Sequence, residues 1–282
     1  MRLFFMLVRR IPPAPSPMLV EVFELLSRRG FRIASAVAEE RVVQPERLAV
    51  EHDLFVLKSH TELSLSLASV FDTLGARILN PYRSCATTQD KIVAARRLNA
   101  AGVSVPRSWV TGELELLSEL LGEISLIAKP HRGHRGSGIA VIRTKAELRS
   151  LATTDTPFLI QEYIEGEGED LKVYVVGEQV FAVRKPFSAT SFSKPGRSVS
   201  VTADVKEIAL AAGRVLGLGL YGLDLVESSQ GPVVVDVNYF PGFKGVPDVA
   251  PLIADYIEDY AHGSNSLVLP DLDPEGYLVG IT

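Results

Sequence analysis

YGLDLVESSQGPVVVDVNYFPGFKG, residues Tyr221–Gly245, reads as two short apolar strands joined by the polar turn Ser228-Ser229-Gln230-Gly231-Pro232. Asp224 lies in the first strand, and Asp236 and Asn238 stand two apart near the end of the second. Side chains two apart on a strand share a face, and a hairpin brings Asp224 beside that face. The outcome is a cluster of hard oxygen ligands of the kind that suits Mg²⁺ or Mn²⁺, the more so when the metal also holds nucleotide phosphates. The competing reading is an ordinary hairpin with charges on its solvated side. The acids interrupt apolar strand cores, where an unpaired carboxylate is costly, and that weakens it.

Upstream, Leu126-Ile127-Ala128 runs into Lys129-Pro130 and the loop His131-Arg132-Gly133-His134-Arg135-Gly136-Ser137-Gly138, with a strand predicted over Ile139–Ile142. Glycines let a backbone approach phosphate oxygens, and successive amides form an anion-binding nest. Arg132, Arg135 and Ser137 add donors. No Gly-Lys-Ser/Thr ends the loop and a strand rather than a helix follows, so it is not a Walker loop. A hairpin tip would carry the same glycines, so this loop weighs only in combination. His131 and His134 have no third Cys or His nearby, which disfavours zinc. A helix is predicted over Thr87–Ala101, with Thr87 and Asp90 at capping-box spacing and Gly102 as its stop. Lys91 sits in its first turn, where a cation gains nothing from the helix dipole. Either an anion holds it there or it is an ordinary solvated lysine.

Between these landmarks the pattern is mixed. A strand and a helix (Glu113–Leu121) precede Leu126, and PFLIQEYI, Pro157–Ile164, is an apolar strand followed by the acidic turn Glu165–Asp170. Leu171–Val176 and Gln179–Arg184 form an alternating pair that brings Lys172, Arg184 and Lys185 towards one region. Helices are expected over Ala203–Leu216 and Pro247–Ala261, the latter stopped by Gly263. At the front, strands at Leu3–Val8, Phe31–Ala34, Asp53–Leu57 and Arg77–Leu79 alternate with a helix capped by Ser16 and ended by Gly30, and another over Thr61–Leu74. This β-α-β-β-α-β order predicts a small parallel α/β lobe. It lacks a Gly-x-Gly-x-x-Gly after its first strand, against a dinucleotide-binding domain.

The chain's 282 residues suffice for two or three lobes, and 46% hydrophobic with 22% charged residues is ordinary for a globular protein. A net charge of −5 and a pI near 5.6 disfavour a broad nucleic-acid face. Cys85 is the only cysteine, so no intrachain disulfide forms; a reducing compartment and a structural thiol are expected. The apolar run Leu3–Val8 is too short for a signal-peptide core and no stretch reaches membrane-span length, so a cytoplasmic protein without membrane partners is expected.

Asp90-Lys91, Ala128-Lys129-Pro130 with its glycine loop, QEYI, EDLKVYVVG, GLDLVES and VVVDVNYFPGF follow one another in an order and spacing that resemble the ATP-grasp superfamily. The likeness spans roughly residues 50 to 262 and is nearest to the RimK-type carboxylate–amine ligases, with features of the inositol polyphosphate kinases. It implies an α/β fold of α+β lobes, an N-terminal parallel lobe over 1–84, a small central lobe over 85–161 and a C-terminal lobe over 162–282, with ATP between two lobes. Lys91 and Lys129 would neutralise the phosphates, and Arg135, Gly136, Ser137 and Gly138 would cover them. Gln161, Glu162, Tyr163 and Ile164 would lie at the adenine and Asp170 at the ribose or nearby substrate. Asp224, Asp236 and Asn238 would hold Mg²⁺ (or Mn²⁺). Arg184 and Lys172 are the catalytic candidates, Arg184 for the transferred group or the carboxylate. The implied reaction turns a small-molecule or peptide carboxylate into an acyl phosphate that an amine captures; the alternative is phosphoryl transfer to a hydroxyl of an inositol phosphate. PFSATSFSKPGRSVSV stands where ribosomal-protein glutamate ligases carry Arg-Ser-Asn-Leu-His, and Asn238-Tyr239-Phe240-Pro241-Gly242 is closer to the kinases. Relatives are often dimers or tetramers, so a homo-oligomer is one expected state.

Overall fold

Three sheets organise the chain, in a computed structural model that describes residues 1–11, 14–132, 138–151, 157–166, 168–186 and 196–271. The first is built from β1 (Arg2–Leu7), α1 (Pro17–Arg28), β2 (Arg32–Val37), β3 (Leu54–Leu57), α2 (Glu62–Thr73) and β4 (Ile78–Leu79). Its order is β2-β1-β3-β4 with every pair parallel, as the alternation predicts. α1 buries Leu19, Val22 and Leu26 at helical spacing. The Thr61 hydroxyl caps α2 by accepting from the Ser64 amide.

Two helices follow where one was expected: α3 (Tyr82–Gln89) and α4 (Lys91–Ala100). The chain breaks at Asp90, whose extended backbone and carboxylate, accepting from the Ile92 and Val93 amides at 3.1 and 3.2 Å, make it the N-cap of α4. A capping Asp serves best outside the helix rather than at its third position, so Thr87 has no capping part. Cys85 in α3 is buried, as expected of a structural thiol, and burial pushes its pKa up.

The second sheet comprises β5 (Ser108–Trp109), β6 (Leu126–Pro130), β7 (Ala140–Ile142), α5 (Lys145–Leu151) and β8 (Phe158–Glu162), in the antiparallel order β5-β8-β6-β7. The helix expected over Glu113–Leu121 is instead two 3₁₀ turns, Leu114–Leu117 and Leu120–Gly122. Leu114, Leu117 and Leu120 recur every three residues and pack on the sheet's own core, the period at which a 3₁₀ turn stacks its side chains. α5 begins with a reciprocal Thr144–Glu147 capping box.

The third sheet holds β9 (Glu169–Val176), β10 (Gln179–Pro186), β11 (Arg197–Val199), β12 (Leu220–Ser228) and β13 (Gly231–Tyr239), with α6 (Ala203–Leu216) before β12 and α7 (Val249–His262) after β13. Its antiparallel order is β11-β10-β9-β12-β13, leaving β13 at an edge. One sheet face packs Val173, Tyr221, Leu223 and Val237 with α4, α6 and the first sheet's Phe55 and Leu57. The other packs Tyr174, Val176, Val183 and Leu220 with α1 and α7. Asn80, fully buried, ties the two sheets: its amide donates to Leu220 O at 2.8 Å, and its Oδ1 accepts from Gly219 and Leu220 N–H. Among the described residues no helix is long and apolar enough to cross a membrane.

Candidate active site

The β12–β13 hairpin sets Asp224 opposite Asp236 and Gly222 opposite Asn238, so both carboxylates and the carboxamide stand on one face. Beyond Asp224 the register steps: Leu225 pairs with Val234, leaving Val235 as an extra, bulged residue. Its carbonyl accepts from Lys129 Nζ at 2.8 Å. The bulge therefore joins the third sheet to the lysine at the end of β6. Val234 and Val237, three apart, both reach the helix-covered core because the extra residue absorbs the mismatch.

Four lysines meet the acids on this face. Lys91, from the first turn of α4, is ion-paired with Asp236 Oδ1, and Asn238 Nδ2 donates to Asp236 Oδ2 at 3.1 Å. Burial pushes the Asp236 carboxyl up, but the Lys91 and Lys129 ammoniums outweigh it and hold the pKa below the usual carboxylate range. Lys172 bonds Asp224 Oδ2 at 2.7 Å across β9–β12. Burial works against its charge, yet the Asp224 carboxylate keeps its pKa above the ordinary lysine value. Lys129, 5% exposed, is pulled down by burial and by Lys91, against the attraction of Asp236 and Asp224. Asp170 sits opposite Lys185 in the β9–β10 ladder, and burial raises its pKa. Lys185, 3% exposed, is lowered by burial and by Lys172 and Lys244.

Strand parity separates two neighbouring cations. Arg184 stands on the opposite face, bonded to Glu227 at 2.5 Å, and so is turned away from the cluster expected to contain it. Lys185, one residue on, takes the place on the site face. Sequence patterning grouped both without saying which strand face each occupies, because both faces of β10 bury apolar residues, Ala182 on one and Val183 on the other.

A cleft opens between α4, the second sheet and the β13 edge, lined by Lys91, Lys129, Leu159, Gln161, Val235 and Asp236 among others. Gln161, on the same face of its sheet as Lys129, donates to Ser108 Oγ at 3.1 Å, while its Oε1 is buried without a partner among the described residues. Glu162 pairs with Arg107 at 2.8 Å, and the Tyr163 amide donates to Ser125 O, so Tyr163 and Ile164 extend from a fixed strand end. Gly138 closes the glycine loop with φ 74°, and a Cβ there would lie 2.8 Å from Pro130. Only glycine meets both conditions without strain. Arg135, Gly136 and Ser137 lie outside the described residues.

The donor set bears on which metal fits. No group of three His, Cys, Asp or Glu side chains stands together among the described residues. Asp224, Asp236 and Asn238 supply hard oxygens only, and few of them. That suits a cation such as Mg²⁺, which completes its shell with phosphate and water oxygens.

A family model of the RimK-like ATP-grasp domain matches residues 88–257. A Coxiella burnetii protein named probable alpha-L-glutamate ligase is 30% identical over 214 residues, 68% of this chain and 70% of its own length. The crystal structure of a RimK domain ATP-grasp protein from Sphaerobacter thermophilus superposes with a TM-score of 0.75 at 19% identity, covering 92% of this chain and all of that one. The ATP-grasp ligase PsnB, complexed with a minimal precursor, Mg and ADP, gives 0.64 at 20% identity over 90% of this chain and 97% of its own. None of these three is named as an inositol polyphosphate kinase. With its family match spanning both cleft walls and the β12–β13 hairpin, the chain belongs to the RimK-like ATP-grasp family.

Proposed function

We propose that the chain is an ATP- and Mg²⁺-dependent ligase that joins the carboxylate of an amino acid or peptide to an amine. One observation carries the reading: Asp236, which shares a strand face with Asp224 and Asn238, lines the cleft together with Lys91 and Lys129, which arrive from two other elements. Adenine lies against Gln161 and the backbone at Glu162–Ile164, its amino group meeting the unpartnered Gln161 Oε1, and Asp170 faces the ribose. The lobes divide at about the 1–84, 85–161 and 162–282 boundaries, with the nucleotide between the last two. Bound Mg²⁺, held by Asp224, Asp236 and Asn238, supplies charge neutralisation at the terminal phosphates.

Lys91 and Lys129 exchange part of their attraction for Asp236 for the phosphates, and Lys172 and Lys185 face the region where the carboxylate arrives. A carboxylate oxygen attacks the γ-phosphorus and the bond to the ADP oxygen breaks. The amine nitrogen then attacks the acyl carbon and loses a proton, and the C–O bond to phosphate breaks, giving amide, ADP and phosphate. The chain's part is positioning and preorganised charge rather than covalent chemistry.

The test is incubation with ATP, Mg²⁺ and a panel of amino acids and dipeptides whose carboxylates carry ¹⁸O, with inositol phosphates offered in a parallel reaction. An amide product with one ¹⁸O in the released phosphate supports the ligase. A phosphorylated polyol formed from inositol phosphates, with no amide, overturns it.

A further inference from the structure

We infer that Glu39 anchors a protonated amino group of the carboxylate substrate, an inference that rests on the ligase reading and narrows its substrate to acids bearing a free amine. β1, β2 and β3 run parallel, and open parallel sheets gather ligands outside their carboxyl ends. At those ends stand Arg9, Glu39 and the Ser59–Thr61 segment. Glu39 lies in the 3₁₀ turn Ala38–Glu40 that follows β2. Its Oε1 accepts from the Thr61 hydroxyl at 2.5 Å, and that hydroxyl lies 3.2 Å from Ser59 Oγ. Its Oε2 is buried with no hydrogen-bond partner among the described residues.

Arg9 bridges the same strand ends but does not serve that oxygen. Its Nε goes to Glu40 Oε1 and its Nη2 to the Glu39 carbonyl, each at 3.1 Å. A buried carboxylate oxygen without a donor costs free energy and calls for one. An ammonium matches it in charge and presents three donors from one small atom.

A chain of contacts, Glu39 to Thr61, Thr61 to Ser59 and Ser59 to Tyr239, leads from this position towards the cleft. Ser59 O accepts from Tyr239 OH at 3.0 Å, next to Asn238, and Lys58 Nζ donates to Phe240 O at 2.5 Å. The His60 ring lies 4.2 Å from that of Tyr239, and His60 shares a second cleft with Lys91 and Asn238. An acid anchored at Glu39 by its amine thus has its reacting end directed along Ser59–His60 towards the metal-facing residues.

Calorimetric titration of the full chain tests this with proteinogenic L-amino acids and dipeptides, each paired with its N-acetylated form, in the wild type and in Glu39→Gln. Gln keeps an acceptor for Thr61 and removes the charge, and Glu39→Asp gives a second, charge-retaining variant. At least one free-amine ligand should bind the wild type about tenfold or more tightly than its acetylated partner, the scale of one charged hydrogen bond. That ratio should collapse towards one in Glu39→Gln, recover in part in Glu39→Asp, and leave ATP affinity unchanged. Equal binding within every pair, absence of binding included, overturns the inference, as does a ratio that survives Glu39→Gln. The ligase reading is judged separately by phosphate release: amine-dependent binding without amide synthesis removes the ligase and leaves the anchor standing.

Discussion

Asp236 carries the densest set of interactions in the cleft, bonded by Lys91 and Asn238 and attracted by Lys129. Asp236→Asn keeps the shape and removes the charge. Turnover should fall by about 10²–10³-fold, the scale of losing one preorganised charge-stabilising group. Circular dichroism should still report a folded chain, and wild-type turnover in that variant would refute the assignment. Lys58 offers a test that needs no substrate. Burial, with Arg10 nearby, pulls its pKa down to about 7. Between pH 7 and the ordinary lysine value the unfolded chain binds more protons than the folded one, so stability should rise with pH there, by up to about 1.4 kcal/mol per pH unit. Urea denaturation at pH 7, 8 and 9 should show that slope in the wild type and lose it in Lys58→Met. Single residues were legible in proportion to how local their partners are. The grouping of Asp224, Asp236 and Asn238 on one face could be read because the three share one hairpin. Arg184 could not be, since both faces of its strand bury apolar residues and its partner Glu227 lies on another strand.

Elements were read best where caps and alternation agree. Ala203–Leu216 was read to the residue because Thr202 caps it and Gly217 ends it in the left-handed region, φ 62°. Within that helix Gly213 is required by packing: a Cβ there would lie 2.1 Å from Tyr221 Oη, which donates to Ala209 O. Helix propensity favours Gly213→Ala by about 1 kcal/mol, whereas overpacking costs about 1–3 kcal/mol. The clash reaches a buried ring on β12, so the net effect should be destabilising, seen as a lower midpoint in thermal melts; a higher midpoint would show that Tyr221 yields freely. The elements misread were those set by irregularity. The break at Asp90, the 3₁₀ turns at Leu114–Leu117 and Leu120–Gly122 and the bulge at Val235 each shift spacing by about one residue, below what periodicity resolves.

Across the molecule, the first and third sheets share both large cores, while the second packs its own around Leu126, Ile142, Phe158 and Ile160. The parallel order of the first sheet followed from the strand–helix alternation, but this sharing did not, because it depends on Asn80 and Tyr239 reaching across the chain. Hydrogen exchange should therefore find two levels of protection. Amides of β6 and β8 should open at lower free energy than those of β9 and β12, and ATP with Mg²⁺ should slow β6 and β8 by tenfold or more. One uniform level across all three sheets would contradict this.

Beyond its place in the cleft lining, Val235 contributes one surplus peptide unit, whose carbonyl anchors Lys129. Substitutions leave that oxygen in place, so a scan of point variants should pass over position 235 as tolerant. Removing the residue is a different operation. Asp224 would still face Asp236, and Leu225 still Val234, now in unbroken alternation. The hairpin should survive the shortening with its acids correctly aimed, while ATP affinity declines for want of the lysine's tether. The position is one where length, rather than identity, is the heritable instruction.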